Sequence, residues 1–376
     1  MSTLAKNRNE MRVEREIAGF AFPFAVGVTA AVIMGASPCT ISTTYHTIVS
    51  GSILLSSTLL LYSFRNRWND IIILGLIALA ALSCGAMTGL SATEMRISGI
   101  LSESRITISA NEAVKVVKSL IDMIPFENQA TGEIIKALLT GSREDITEDI
   151  SQAFRDSGAS HILALSGLHL GIIYAIIVKT LTFAGNSPSM RRAKSILTIF
   201  ICGFYTLATG AGASITRAFL FIAINEIGKM TGRLTSLKTV LGAALLIHLT
   251  FDPDAVSEVG FQLSYAAIFG IAYIFPWLRR LWKNDWRWLK WIWESLAVSI
   301  SCQVTTGPLA YWYFGTFPQY FLLTNLIAVP LAGLIIPASL LVTALTALGV
   351  CPQFLTETTE WMVTILTQSL EIIATM

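Results

Sequence analysis

Charge is what this chain has least of. Only 13% of its 376 residues are Asp, Glu, Lys or Arg, against 53% hydrophobic. The mean hydropathy is +0.64. Soluble domains devote roughly a quarter of their residues to charge, so the composition argues against that class. Lys and Arg stop altogether at Lys290. Cysteine is sparse and unpatterned: Cys39, Cys84, Cys202, Cys302 and Cys351 stand apart with no CxxC pair, which excludes a disulfide framework and a zinc knuckle. There is no HExxH, hence no single-helix zinc site, and no GxxxxGKS/T, so the chain is not its own ATP-driven motor. We expect no cofactor and no metal.

What is abundant is the long apolar run. A bilayer core about 30 Å thick takes ~20 mostly apolar residues per helix, and only helices or closed barrels satisfy their backbone in lipid. These runs are too long for barrel strands. The expected fold is therefore all-α, a polytopic transmembrane bundle of about 10–12 spans. Spans read at 17–36, 47–64, 70–90, 161–182, 194–210, 213–229, 235–251, 258–278 and 290–309, with at least two more in 319–350 and a last one in 361–376. Three sequence regions follow: 1–90 with about 3 spans, an extracytoplasmic segment 91–160, and a transmembrane core 161–376. Basic residues cluster at Lys6–Arg15, Arg65/Arg67, Arg191–Lys194, Lys229–Lys238 and Arg279–Lys283. All fall on one side of the alternation, which places the N-terminus in the cytoplasm.

Segment 91–160 is the one long polar stretch, and its periodicity is helical. Val114, Val117, Leu120, Ile121 and Ile124 share one stripe of 110–124, the pattern of an amphipathic helix. Two shorter helices are expected at 131–140 and 146–154. The stretch LRRLWKNDWRWLKWIW (278–293) interleaves five tryptophans with basic residues. Such a mixture suits nucleic acid or a lipid interface, and its position at the end of a span favours the interface.

GASHILALSGLHLGIIYAI (158–176) is apolar yet carries His161, Ser166, Gly167, His169 and Gly171. On an unbroken helix the two histidines stand about 12 Å apart along the axis, too far to share a metal ion. Ser166 and His169 could meet on one face and raise serine-hydrolase chemistry, which would need an orienting acid. No carboxylate occurs between 157 and 225. The bland alternative has Ser166 bonding back to the Ile162 carbonyl. Gly167 and Gly171 invite a helix break, tolerated at membrane depth only inside protein or beside a wet cavity. Arg217, Asn225, Glu226, Gln262, Ser264, Gln303 and Asn325 are further polar residues in apolar surroundings. A buried cation such as Arg217 is expensive in lipid and should face a partner or a cavity.

Four segments taken together resemble one family: FRDSGASHILALSGLHLGII, GASITRAFLF, DPDAVSEVGFQLSYAAIFGI and GPLAYWYFGTFPQYFLLTNLIAVPL. They are similar to the membrane competence domain of the ComEC family, over roughly 127–350. The resemblance implies an inner-membrane channel that passes single-stranded DNA into the cytoplasm during natural transformation. It implies candidate pore or fold-defining positions at His161, Ser166, Gly167, His169, Arg217, Gln262, Ser264 and Asn325. It also implies partners: the DNA strand, membrane lipid, and a separate DNA-binding receptor, nuclease and cytoplasmic ATP-driven helicase. Residues 91–112 leave no room for the small β-barrel many relatives carry, and no HxHxDH marks a metallo-β-lactamase-like domain, so a member with the membrane core alone, and no enzyme, is expected. Against DNA stands the charge of 91–160, with seven basic and eleven acidic residues, where a DNA-collecting surface should be basic. A transporter of another anionic solute on the same fold is the alternative. An intramembrane serine hydrolase is the third reading.

Overall fold

The computed structural model describes residues 20–30, 105–144, 146–163, 165–183, 185, 187–231, 236–282, 286–315 and 320–375. The regular structure among them is helical throughout, with no strand among the described residues, so the all-α expectation holds. The spans read at 47–64 and 70–90 lie outside the described residues.

The chain divides into two compact units, one of 1–99 with 231–272 and one of 100–230 with 273–376. The first contains α1 (Phe20–Ala30), α9 (Leu237–Phe251), a 3-10 turn (Pro253–Ser257) and nearly all of α10 (Val259–Tyr273). Ser236 caps α9, its Oγ accepting from Thr239 N–H at 3.3 Å, and Pro253 stops the helix because it has no N–H to continue the ladder. His248, Phe261 and Tyr265 form an aromatic cluster, with ring centroids 4.5 Å apart for Phe261–Tyr265 and 5.0 Å for His248–Phe261.

The second unit contains α2 (Arg105–Asp122), α3 (Gln129–Thr140), α4 (Glu148–Asp156), α5 (Ser160–Leu163), α6 (Gly167–Leu181), α7 (Pro188–Ala208), α8 (Ala213–Met230), α11 (Phe275–Leu281), α12 (Arg287–Phe314), α13 (Phe321–Ala347) and α14 (Gln353–Ala374). Its core joins the polar region to the apolar helices. Ile121, Ile134, Ile135, Leu138 and Phe154 pack in one cluster with Ala328, Ile335, Ile336, Leu366 and Leu370. The stripe read in 110–124 is thus real, with Ile121 and Ile124 buried, but protein rather than lipid covers it. Glu360 on α14 clamps the start of α3, its carboxylate accepting from Asn128 N–H at 2.6 Å and Glu127 N–H at 3.1 Å. That satisfies donors a helix N-terminus otherwise leaves open, with a negative charge at the favourable end of the helix dipole.

The two spans expected in 319–350 are one helix. α13 runs 27 residues through Pro330 and Pro337. It is the one described helix long and apolar enough to cross a membrane on its own, and α10 with α11 passes the same test when taken together. At 1.5 Å per residue it measures about 40 Å. Each proline forfeits a hydrogen bond, but tight burial of Ala332, Ile335 and Ile336 between the prolines holds the helix together. Hydroxyls along these helices bond back one turn, as Thr343 to the Ser339 carbonyl at 2.7 Å and Ser301 to that of Ala297 at 2.6 Å, which quenches them without a partner helix.

Gly141 ends α3 at φ 78 and donates to the Ala137 carbonyl. A side chain there would also run into Leu165. Gly141→Ala is therefore expected to lower stability by about 2 kcal/mol or more. Gly132→Ala, whose new methyl would meet only the Phe126 ring at 3.8 Å, should be nearly neutral. Thermal unfolding of the purified chain checks both, and equal losses would contradict the argument.

Candidate functional site

The span read at 161–182 is two helices, and the break between them organises the site. Gly158 closes α4 at φ 79. α5 is a single turn, and Ser166 is extended (φ −126°, ψ 173°) before α6 starts at Gly167. The break therefore precedes Gly167, and Gly171 lies inside a continuous helix. Ser166 does not bond back to Ile162. Its Oγ accepts from Leu168 N–H at 3.3 Å, and His169 Nδ1 accepts from Ser166 N–H at 3.2 Å. This is a reciprocal capping box with histidine in the place usually held by Glu or Gln. Ser166 Oγ also lies 3.1 Å from Nδ1. Because Nδ1 accepts, the ring proton is assigned to Nε2, which is buried with no hydrogen-bond partner among the described residues.

The two histidines differ in exposure. His169 is 0% exposed, whereas His161 is exposed on α5 with its Nδ1 3.2 Å from the Gly158 carbonyl. A Ser–His hydrolase would need a carboxylate on the His169 ring, and among the described residues none bonds to it. The pair is built as a helix cap.

α6, α7 and α8 pack against one another. A methyl on Gly167 would stand 3.4 Å from the Ala218 Cβ, so the start of α6 and the first half of α8 run close together. α7 turns into α8 through Gly210 (φ 85) and Ala211 (φ 48). Ala211 N–H reaches the Thr206 carbonyl at 2.8 Å and Gly210 N–H that of Leu207 at 3.1 Å, which is the Schellman pattern. Gly210 is there for its left-handed backbone, since nothing lies within 4 Å of where its Cβ would be. Arg217 follows on the second turn of α8 and is 2% exposed. Its helix neighbours Ile215 and Ala218 belong to an apolar cluster with Leu170, Cys202 and Tyr205.

A polar hub ties the same three helices further along. Glu226 on α8 accepts from Tyr174 of α6 at 2.6 Å, from Ser195 of α7 at 2.7 Å and from Lys229 at 2.6 Å. Lys229 and Asn225 also donate to the Tyr174 hydroxyl, at 2.7 and 3.3 Å. A buried carboxylate is tolerable only when its lone pairs are used and a cation is near, and here both conditions hold. The sequence marked Asn225 and Glu226 but not Tyr174 or Ser195. A hydroxyl inside the apolar IIYAII was the available signal, since a Tyr O–H buried among aliphatics seeks an acceptor.

The remaining sequence candidates are dispersed. Asn325 lies on α13, which packs on α6, and its Oδ1 is buried with no hydrogen-bond partner among the described residues. The adjacent Thr324 donates to the Ser157 carbonyl at 2.7 Å, anchoring α13 to the turn before α5. Gln262 and Ser264 belong to the other unit, on α10, where the Gln262 side-chain amide donates to the Val256 carbonyl at 2.9 Å. Arg217 and His169 are buried, and His161 is exposed. Gly167 and Ala218 bring α6 and α8 within contact distance, with Gly167 itself exposed.

The comparison with known families decides the lineage. The family model described as Competence protein matches residues 138–376. The chain belongs to the ComEC family of competence proteins. It is 28% identical over 233 residues to ComE operon protein 3 of Bacillus subtilis, covering 60% of this chain and 28% of that protein. It is 28% identical over 202 residues to the competence protein ComA of Neisseria gonorrhoeae, 52% of this chain and 28% of the relative. An Escherichia coli protein named YcaI is 24% identical over 210 residues, 54% of this chain and 27% of its own length. The matched stretch thus spans little more than a quarter of each relative. No solved structure matches the chain.

The hub geometry makes Tyr174 and Ser195 coupled rather than independent. Tyr174→Phe and Ser195→Ala should each cost about 1 kcal/mol. Combining either with Glu226→Gln should be non-additive by about 0.5 kcal/mol or more. A double-mutant cycle on unfolding free energy checks this, and strict additivity would contradict it.

Proposed function

We propose that this chain is the membrane core of a DNA-uptake channel, passing single-stranded DNA across the inner membrane during natural transformation. Membership of the ComEC family carries the reading, because the match covers every candidate position from His161 to Asn325 in one run. On this reading the chain is a polytopic bundle of about 10–12 spans with a cytoplasmic N-terminus. Residues 91–160 form its extracytoplasmic layer and 161–376 its conducting core. It carries out no bond chemistry of its own. A receptor and a nuclease deliver the strand outside, and an ATP-driven helicase draws it in.

The geometry supports a particular way of working. Arg217 is a buried cation beside an apolar cluster, a residue type that in membrane helices marks an ion or substrate path. On this reading a phosphate of the passing strand meets it between α6 and α8. The close approach of Gly167 to Ala218 is then the contact that holds a resting form. Conduction then requires α6 and α8 to part at Gly167 and Ala218, where small side chains leave little to unlock. A channel must be sealed at rest to hold the membrane potential, and an arginine buried in the seal gives a polyanion the differential affinity needed to open it.

A second reading keeps the fold and changes the cargo. The acidic excess of 91–160, seven basic residues against eleven acidic, repels a polyanion at the entrance but matters less for a small anionic solute. The two readings part in one assay. In a strain lacking this gene and complemented on a plasmid, Arg217→Ala should abolish uptake of labelled DNA at unchanged protein level, with Arg217→Lys retaining part of it. Normal transformation in the deletion strain would overturn the DNA reading in favour of the small anion.

A further inference from the structure

The tryptophan and arginine-rich stretch contains a cavity that the channel reading leaves unused. It measures about 390 Å³ and is lined by Phe275, Pro276, Arg279, Arg280, Trp282, Lys290, Trp293 and Glu294, from α11 and the first turns of α12. Three cations and one carboxylate face this space. The carboxylate is already engaged: Arg279 Nε donates to Glu294 at 2.8 Å. Arg280 and Lys290 have no side-chain hydrogen bond or ion pair among the described residues. The site therefore carries two uncommitted positive charges in one concave space.

Its walls say what kind of anion fits. Trp282 and Trp293 stack on each other, centroids 5.8 Å apart and planes at 22°. Trp293 is fixed by its indole N–H donating to the Leu278 carbonyl at 3.2 Å. Stacking of nucleic-acid bases needs open aromatic faces, and here the facing sides are spent on one another. Outside the cavity, Trp277, Trp286, Trp288 and Trp291 are each more than half exposed, as indoles are at headgroup depth. Phe275 and Pro276 add an apolar wall next to the cations. A ligand with a phosphate and an attached apolar body meets all of these surfaces. A basic pocket between helices on the cytoplasmic side is the known form of an anionic-lipid site.

We infer that this cavity is a binding site for one anionic phospholipid, its phosphate held by Arg280 and Lys290 and its glycerol and upper chains against Phe275, Pro276 and the stacked indoles. The inference rests on the reading that the chain lies in a bilayer with Arg279–Lys290 on the cytoplasmic side, and not on what the chain conducts. A bound lipid there would pin the start of α12 at a fixed depth.

The test is native mass spectrometry of the full chain in detergent, titrated with phosphatidylglycerol and, separately, with phosphatidylcholine. One tight phosphatidylglycerol site is expected, with phosphatidylcholine much weaker. Arg280→Gln with Lys290→Gln should weaken it about 25-fold, at about 1 kcal/mol for each cation near the surface. The exposed pair Arg191→Gln with Arg192→Gln should leave it intact, and unchanged thermal unfolding shows that the variants fold. Equal affinity for the two lipids, or an equal loss in the Arg191/Arg192 variant, would overturn a discrete site. Displacement of the lipid by an equal concentration of glycerol 3-phosphate would reassign the cavity to a free phosphate and overturn the lipid. A chain recovered in the aqueous fraction without detergent would overturn the bilayer reading and the site with it. A chain that needs detergent yet shows no lipid preference sinks the site alone.

Discussion

Everything at the centre of the second unit depends on one small exchange of hydrogen bonds: the Ser166 hydroxyl on the backbone of α6, and the His169 ring on the backbone of Ser166. It allows the chain to leave the helix between α5 and α6 without stranding donors in an apolar interior, where each would cost several kcal/mol. With the cap in place α6 starts abruptly at a glycine, and that glycine lets α8 come within contact distance at Ala218. Replace the cap by an unbroken helix and His161, now outward on α5, would turn with the rest of the segment. Arg217 would then lose the close neighbour helix that shuts it from water.

The three-helix group is fastened at its far end by a different device. Glu226 gathers Tyr174, Ser195 and Lys229, so α6, α7 and α8 meet around a fully used carboxylate. Arg217 lies nine residues earlier on α8, about 14 Å along the axis. One end of the group is thus fixed by a satisfied charge network, the other by the close approach of Gly167 to Ala218. On the proposed function the group opens at the packed end rather than at the bonded end. That asymmetry is what the proposed gating uses.

Some of this was legible in the chain and some was not. Composition gave the helical class, and periodicity placed the stripe of Ile121 and Ile124, because a 3.6-residue repeat survives whatever covers it. The family followed from four segments in order. What periodicity cannot tell is which surface covers a stripe, so protein burial of 110–124 against α3, α7 and α13 looked the same as burial on lipid. The break before Gly167 was sensed from glycines but misplaced, since the residue that breaks the helix is a serine whose cap depends on a histidine three places on. The run 319–350 was read as at least two spans, and it holds one helix that continues through Pro330 and Pro337. Tyr174 and Ser195 were missed because a lone hydroxyl in an apolar helix is uninformative until its acceptor, dozens of residues away, is known.

We propose that the contact between α6 and α8 beside Arg217 is a seal that DNA opens, and thiol labelling reads it directly. Ala218→Cys in a background with the native cysteines replaced places a thiol in that contact. A membrane-impermeant maleimide, applied to competent cells with and without transforming DNA, reads its exposure. The thiol should be protected at rest and labelled markedly faster during uptake. Labelling at the same rate in both conditions, whether fast or slow, would contradict it.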